Sequence, residues 1–107
     1  MMTIQGLWSA ANDHIPCVFV ICNNGMYRVL KVNYKIYQTE LLGESEPVGE
    51  MLPHSDFKTP FDMCNIAKGM GLECENVTKP DQIKPALDKA LESGKPYLLN
   101  ISIDGSL

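Results

Sequence analysis

The chain has 107 residues, of which 45% are hydrophobic and 21% charged, and its formal net charge at pH 7 is −4. This composition is typical of a soluble globular protein and argues against the disordered and fibrous classes. An acidic chain without a basic cluster is a poor ligand for nucleic acid. Its apolar runs are far shorter than the ~20 residues that span a bilayer, and its first residues do not form a signal peptide. We therefore expect a cytoplasmic protein without nucleic-acid or membrane partners.

The cysteines form no pattern that is typical of a metal site. There are four, with no C-x-x-C pair and no histidine at zinc-ligand spacing: Cys17, Cys22, Cys64 and Cys74. Cys17 and Cys22 bracket an apolar strand, where cysteine usually acts as a small hydrophobe. We expect reduced thiols, as in most cytoplasmic proteins.

The first two elements follow from hydrophobic periodicity. Apolar residues recur at helical spacing from Ile4 to Ala11, and Pro16 prevents any continuation, so an amphipathic helix is predicted. CVFVIC, residues 17 to 22, is apolar on both faces and therefore predicts a strand at the centre of a parallel sheet. Residues 38 to 58 mix Gly, Pro and Glu without a period, which predicts a long loop within the domain.

The second half of the chain contains two helix starts. Thr59 is the predicted N-cap, Pro60 would occupy the first helical position, and the carboxylate of Asp62 would reach back to the cap. The helix would then run to about Met70. Thr78 and Asp81 repeat this spacing before a second apolar stripe that ends near Leu91.

Strands complete the pattern. A short strand is predicted at Cys74 to Val77 and a buried one at YLLNISI, residues 97 to 103, while Pro85 should kink the preceding helix or delay its start. The element order predicts an α/β domain of three layers, with a parallel sheet and helices on both faces.

Two interpretations of Asn23, Asn24 and Gly25 remain open at this level. Asn-Gly after a strand, followed by alternating residues from Leu30 to Ile36, is a strong signal for a β-hairpin. Alternatively, Asn24 lies beyond the carboxyl end of a parallel strand, where open α/β sheets bind ligands. Its amide oxygen and a backbone carbonyl two residues later would suit magnesium, and a helix would begin near Met26 or Tyr27.

Nearly the whole chain resembles a known family. LWSAANDHIPCVFVICNNGMYRVLK, DFKTPFDMCNIAKGMG and PALDKALESGKPYLLNISI occur in the order seen in the C-terminal cofactor-binding domain of thiamine-diphosphate-dependent 2-oxo-acid decarboxylases and acetolactate synthases, benzoylformate decarboxylase being the most similar type. The resemblance implies that residues 1–107 are the C-terminal part of a domain that binds the cofactor's diphosphate. It also implies that the chain starts just after the Gly-Asp-Gly half of the family's cofactor motif.

The same resemblance implies a set of ligands. Asn24, through its side chain, and Met26, through its carbonyl, would bind Mg²⁺, while Gly25 and Tyr27 would line the diphosphate. The aspartate of the missing half-motif would be the charged ligand, so we expect thiamine diphosphate and Mg²⁺ to bind weakly or not at all to this chain alone. No catalytic residue is assigned: His14 and His54 match no catalytic histidine, and we expect both at surface or loop positions.

The function implied is part of a decarboxylase or carboligase that acts on 2-oxo acids, inactive by itself. A pyrimidine-binding domain, usually from another subunit of a homo-oligomer, would complete the active site. One alternative is a fragment of an acetolactate synthase-type enzyme. The other is a free-standing α/β protein-interaction module that self-associates through an apolar sheet edge.

Overall fold

The computed structural model describes residues 3–43 and 52–106. Its helices and strands, in chain order, are α1 (Gln5–Asn12), β1 (Val18–Asn23), α2 (Arg28–Ile36), α3 (Met63–Gly69), β2 (Glu73–Val77), α4 (Ile83–Glu92) and β3 (Tyr97–Ser102). These residues form two compact units. The first contains the described residues up to Asn23 and Asp62–Ile103, and the second contains those of Asn24–Phe61 and those from Asp104 onward.

The first unit is built on a parallel sheet in the order β1-β3-β2. Val18 pairs with Tyr97 at the start of β1, and Glu73 pairs with the same residue at the start of β2. The central strand is β3, whose first four residues are buried. The prediction that CVFVIC is central is therefore wrong for the described sheet: β1 lies at its edge, and Val20 is 49% exposed.

Helices cover both faces of this sheet. On one face, Leu98 packs with Leu7 from α1 and Ala67 from α3. On the other, Leu99 packs with Ala86 and Ala90 from α4. Successive strand residues point to opposite faces, so one strand supplies both cores. The predicted three-layer α/β architecture is confirmed.

The start of α3 differs from the prediction. Asp62, rather than Thr59, is the N-cap: its carboxylate accepts hydrogen bonds from the backbone N–H of Asn65 at 3.0 Å and from the Asn65 side chain at 2.6 Å. Pro60 therefore precedes the helix instead of occupying its first position. A carboxylate N-cap satisfies a free N–H and also interacts favourably with the helix dipole, which explains why Asp62 prevails over Thr59.

The approach to α4 also differs in detail. A short 3-10 turn, Pro80–Gln82, precedes the helix, and the side-chain oxygen of Gln82 accepts from the backbone N–H groups of Thr78 and Lys79. Gln82 thus reaches back to the cap in place of Asp81. Pro85 is the third residue of α4. Its missing N–H is tolerated there because the N–H groups of a first turn have no intrahelical partner.

A disulfide joins α3 to β2. Cys64 and Cys74 are bonded, with a Cα–Cα distance of 5.2 Å, whereas Cys17 and Cys22 are free. The expectation of reduced thiols is therefore wrong for the bonded pair. They are ten positions apart in the sequence. The turn after α3 brings the first turn of the helix back against the strand, so spacing alone did not indicate the bond.

The second unit contains α2, which continues into a π-helical turn at Tyr37–Leu41. The β-hairpin interpretation is wrong: residues 28 to 36 are helical, and Met26 makes its β-bridge with the distant Asp56. The predicted loop is helical at its beginning, and its residues 44–51 lie outside the described part of the chain. In the part that is described, no helix combines the length and apolarity needed to cross a membrane.

Candidate functional site

The candidate site is the turn Asn24–Tyr27, which follows β1 and leads into α2. Gly25 has a φ of +68°, a left-handed conformation that a glycine adopts without the steric cost borne by other residues. The Asn24 side-chain oxygen accepts from the backbone N–H of Met26 at 3.3 Å. This local bond is the turn that asparagine favours, and it holds the carboxamide over its own backbone.

A β-bridge fixes this turn against residues 55 to 57. Tyr27 donates its backbone N–H to the Ser55 carbonyl at 2.7 Å, and Phe57 donates to the Gly25 carbonyl at 2.9 Å. The bridge therefore uses the backbone groups of Gly25 and Tyr27. It does not use the carbonyl of Met26, which lies between these two bonds.

Aromatic packing reinforces the bridge. The ring of Tyr27 meets that of Phe57 edge to face at 5.0 Å between centroids, and Phe57 meets Phe61 in the same way at 5.3 Å. Tyr27 remains 49% exposed. Edge-to-face pairs of this kind stabilise the packing by more than the burial of their apolar area alone.

An ion pair ties α2 to the same segment. Lys31 is buried, and its ammonium group bonds to the carboxylate of Asp56, the residue whose backbone forms the bridge with Met26. Sequence reasoning missed Asp56, Ser55 and Phe57, because they fall in a segment without periodicity. The only available signal was a length that is unusual for a loop inside a compact domain.

The start of α2 offers N–H groups beside the turn. Tyr27 is the N-cap and makes no side-chain cap hydrogen bond, and the first intrahelical donors are Leu30 and Lys31, both to the Tyr27 carbonyl. The N–H groups of Arg28 and Val29 thus precede the helical ladder. A helix N-terminus with such groups favours an anion such as phosphate.

The oxygen donors of this turn fit one kind of magnesium site. Asn24 contributes a carboxamide oxygen and Met26 a carbonyl oxygen, both neutral and hard. Among the residues that the structure describes, no three His, Cys, Asp or Glu side chains cluster as a metal site would require. Two neutral oxygens leave the charge of Mg²⁺ unbalanced, so an ion bound by them would need anionic ligands such as phosphate oxygens.

Neither histidine is among the residues assigned to this turn. His14 and His54 are exposed and have positive φ values, 52° and 63°, as in turns. The sequence-based assignment of both to surface or loop positions is confirmed.

Comparison with known proteins shows to which family this chain is related. Residues 1–101 match the family model for the C-terminal TPP-binding domain of thiamine pyrophosphate enzymes, thiamine pyrophosphate being thiamine diphosphate. The chain is 32% identical over 98 residues to benzoylformate decarboxylase of Pseudomonas aeruginosa, a match that covers 92% of this chain and 16% of that protein. It is 27% identical over 104 residues to acetolactate synthase isozyme 2 large subunit of Escherichia coli, covering 97% and 17%.

A solved structure agrees with these relatives. The thiamine diphosphate-dependent 4-hydroxybenzoylformate decarboxylase of Rhodococcus jostii RHA1 superposes with a TM-score of 0.66 at 30% identity, over 94% of this chain and 17% of that one. The chain thus spans about a sixth of the length of these relatives. The chain belongs to the family of thiamine pyrophosphate enzyme C-terminal TPP-binding domains.

Proposed function

We propose that this chain provides the diphosphate- and Mg²⁺-binding part of a thiamine-diphosphate-dependent 2-oxo-acid decarboxylase or carboligase. The observation that carries the proposal is the Asn24–Tyr27 turn: neutral oxygens at Asn24 and Met26 lie next to the uncapped start of α2, within a chain of this family. Oxygen donors and helix N–H groups together suit a diphosphate with its magnesium ion.

Each residue of the turn has a distinct role in the proposal. The Asn24 side chain and the Met26 carbonyl would hold the ion, and the N–H groups at the start of α2 would face phosphate oxygens. Gly25 allows the backbone to approach the diphosphate closely, because it has no side chain. Tyr27 shapes the site through the bridge: it donates its backbone N–H to the Ser55 carbonyl and not to a phosphate oxygen. When bound, the cofactor supplies the electron sink for decarboxylation.

The complete enzyme would need parts that these 107 residues do not supply. A pyrimidine-binding domain, from another subunit of a cytoplasmic homo-oligomer, would activate the cofactor and complete the pocket for the 2-oxo acid. The relatives named above are about six times as long as this chain, so they contain segments beyond the part that it matches. The chain alone should therefore show no decarboxylation of pyruvate or benzoylformate, and turnover of either would contradict the proposal.

An alternative function, protein interaction without catalysis, is favoured by exposed apolar side chains in the second unit. Val29 on α2 is 65% exposed and Leu41 on the π-helical turn is 75% exposed. Leu30, Ile36 and Leu42, on or directly after the same helix and turn, are also exposed, and a concentration of exposed apolar groups is typical of contact surfaces. Cofactor binding separates the two functions, because only the first of them predicts it.

The deciding experiment is a calorimetric titration of the chain with thiamine diphosphate and Mg²⁺. We expect at most weak magnesium-dependent binding, because both protein ligands are neutral, and Asn24→Ala should weaken it at least tenfold. Asn33→Ala is the matched control: it removes the same functional group from an exposed position on α2 and should bind as the wild type does. Equal binding by Asn24→Ala would remove Asn24 from the site, and no binding by the wild type would favour the interaction module.

A further inference from the structure

A short segment after β3 packs directly on the candidate turn. Gly105 is buried, and a Cβ atom added to it would lie 2.7 Å from the backbone carbonyl oxygen of Asn24 and 2.7 Å from the terminal methyl group of Met26. Non-bonded carbon and oxygen atoms do not approach so closely, so no side chain fits while the turn keeps its present position. Gly105 therefore lies against the two residues that are proposed to bind Mg²⁺.

The requirement for glycine here concerns space, not backbone conformation. Gly25 and Gly43 in the same unit have positive φ values and open space where a Cβ would be, whereas Gly105 is crowded and its φ lies outside that region. One of its two close neighbours is backbone. The Asn24 carbonyl can move only together with the turn, while a methionine methyl group could rotate away.

The segment is also anchored to the start of α2. Arg28, the first residue of that helix, donates from Nε to the Ser106 carbonyl at 3.2 Å. A cation at a helix N-terminus is opposed by the helix dipole, so this position is unfavourable for arginine unless acceptors hold it. The Ser106 carbonyl is such an acceptor, and the nearby negative charge of Asp104 provides further compensation.

Within the segment, Asp104 closes a small turn. Its carboxylate accepts from the Ser106 backbone N–H at 2.9 Å and from the Ser106 hydroxyl at 2.8 Å. These two bonds, with a smaller contribution from Arg28, hold the pKa of the Asp104 carboxyl below its ordinary value. The segment thus has a defined shape, with Gly105 at the point where it touches the turn.

We propose that the segment Asp104–Ser106 is a positioning element that fixes the geometry of the Asn24–Met26 turn. Gly105 sets how closely the segment approaches, and Arg28 holds it in place. Gly105 and the side chain of Arg28 touch neither the diphosphate nor the ion in this proposal; both act through Asn24 and Met26. The consequence for cofactor binding rests on the function proposed above, whereas the consequence for the turn itself does not.

The first test needs no cofactor. In the ¹⁵N-labelled chain, Gly105→Ala should shift the amide signals of Asn24 and Met26 and speed hydrogen exchange of the bridge N–H groups of Tyr27 and Phe57 at least tenfold. Leu99 on β3 should keep its exchange rate, which shows that the first unit stays folded. Gly69→Ala is the control, because a Cβ there meets nothing within 4 Å.

Arg28→Met is the second variant. It keeps the length of an exposed side chain but removes the donor to Ser106, so the same signals should shift and exchange should accelerate about threefold or more. If Gly105→Ala prevents folding, Arg28→Met decides. Wild-type signals in Arg28→Met, or in a folded Gly105→Ala, would overturn the proposal.

Calorimetry with thiamine diphosphate and Mg²⁺ then separates the two proposals. Binding by the wild type that weakens at least tenfold in Gly105→Ala supports both. Altered amide signals without binding by the wild type support the positioning element and count against the cofactor site in this chain. Altered signals with unchanged binding overturn the role of the segment in cofactor binding.

Discussion

Lys31 and Asp56 form an ion pair in which the exposed fractions of the side chains are 4% and 54%. The lysine lies on α2, and the backbone of Asp56 forms the bridge to Met26. A buried ammonium group is costly unless a charged partner stays with it, and Asp56 is that partner among the described residues. The pair therefore ties the position of α2 to the position of the Asn24–Tyr27 turn.

Asp56→Asn should lower the free energy of unfolding by about 1–3 kcal/mol, because the buried ammonium group keeps only a neutral acceptor. Asp88→Asn is the control: its pair with Lys84 is exposed on both sides, so the loss should stay below about 0.5 kcal/mol. Urea denaturation measures both. Equal effects would mean that burial of Lys31 adds nothing to its interaction with Asp56.

The disulfide between Cys64 and Cys74 should contribute measurably to stability. A cross-link that closes a loop of ten residues removes conformational freedom from the unfolded chain, which corresponds to about 2–3 kcal/mol. We expect a reductant to lower the melting temperature of the wild type. The double variant Cys64→Ala/Cys74→Ala should melt lower from the outset and be insensitive to the reductant.

Thiol counting tests the same bond chemically. Alkylation of the unfolded, unreduced chain should label two cysteines, Cys17 and Cys22, and prior reduction should raise the number to four. Four labels without reduction would show that the bond is absent in the isolated protein.

Glu75 should make stability depend on acid pH. Hydrogen bonding from Lys89, offset in part by desolvation, lowers the pKa of the Glu75 carboxyl below its ordinary value of 4.5. A lowered folded-state pKa means that folding favours the ionised form, so the contribution is present above pH 4.5 and is lost as the pH falls through the folded-state pKa. Lys89→Met should reduce the fall in melting temperature between pH 6 and pH 3.

Lys68→Met is the control for that measurement, because Lys68 is exposed and makes no ion pair among the described residues. It should keep the wild-type pH dependence. The same dependence in Lys89→Met as in the wild type would show that the Lys89–Glu75 pair, 2.8 Å between Nζ and Oε2, does not persist in solution.

Asn100 is a polar residue in the central strand that should be replaceable. Its side-chain nitrogen donates to Asn76 at 2.9 Å, but its oxygen is buried and has no hydrogen-bond partner among the described residues. Asn100→Leu removes that unsatisfied acceptor while keeping the number of side-chain heavy atoms, and the exposed Asn76 can bond to water instead. We expect unchanged stability or a gain of about 1 kcal/mol in urea denaturation.

Leu98→Ala in the same strand is the contrasting variant. Leu98 has an exposed fraction of 0%, so its truncation should cost about 3–5 kcal/mol. A loss of similar size in Asn100→Leu would show that the buried oxygen of Asn100 has a partner that stabilises the fold.

Much of the fold could be predicted from local pattern. The helix near Ile4–Ala11, the three strands and the helices before and after β2 all follow from apolar periodicity, which reflects burial on one face or on both. Cap positions were less certain. Thr59 and Asp62 are both good N-caps, and so are several residues around Thr78, so neighbouring candidates compete within a few residues.

The candidate turn was predicted only as one of two alternatives. Asn-Gly followed by alternating residues is equally compatible with a hairpin, because a short alternating segment fits a strand as well as a helix. The resemblance to the family favoured the ligand interpretation. The helical α2 and the bridge from Met26 to Asp56 exclude the hairpin.

Residue order thus specified the elements, since each depends on neighbours within a few positions along the chain. The tertiary structure decided what those elements contact: Cys64 with Cys74, Lys31 with Asp56, and Gly105 with Asn24. Two of these contacts join residues more than twenty positions apart, and even the disulfide depends on how α3 turns back onto β2. Such pairings arise when packing brings separate segments together, and local periodicity carries no signal for them.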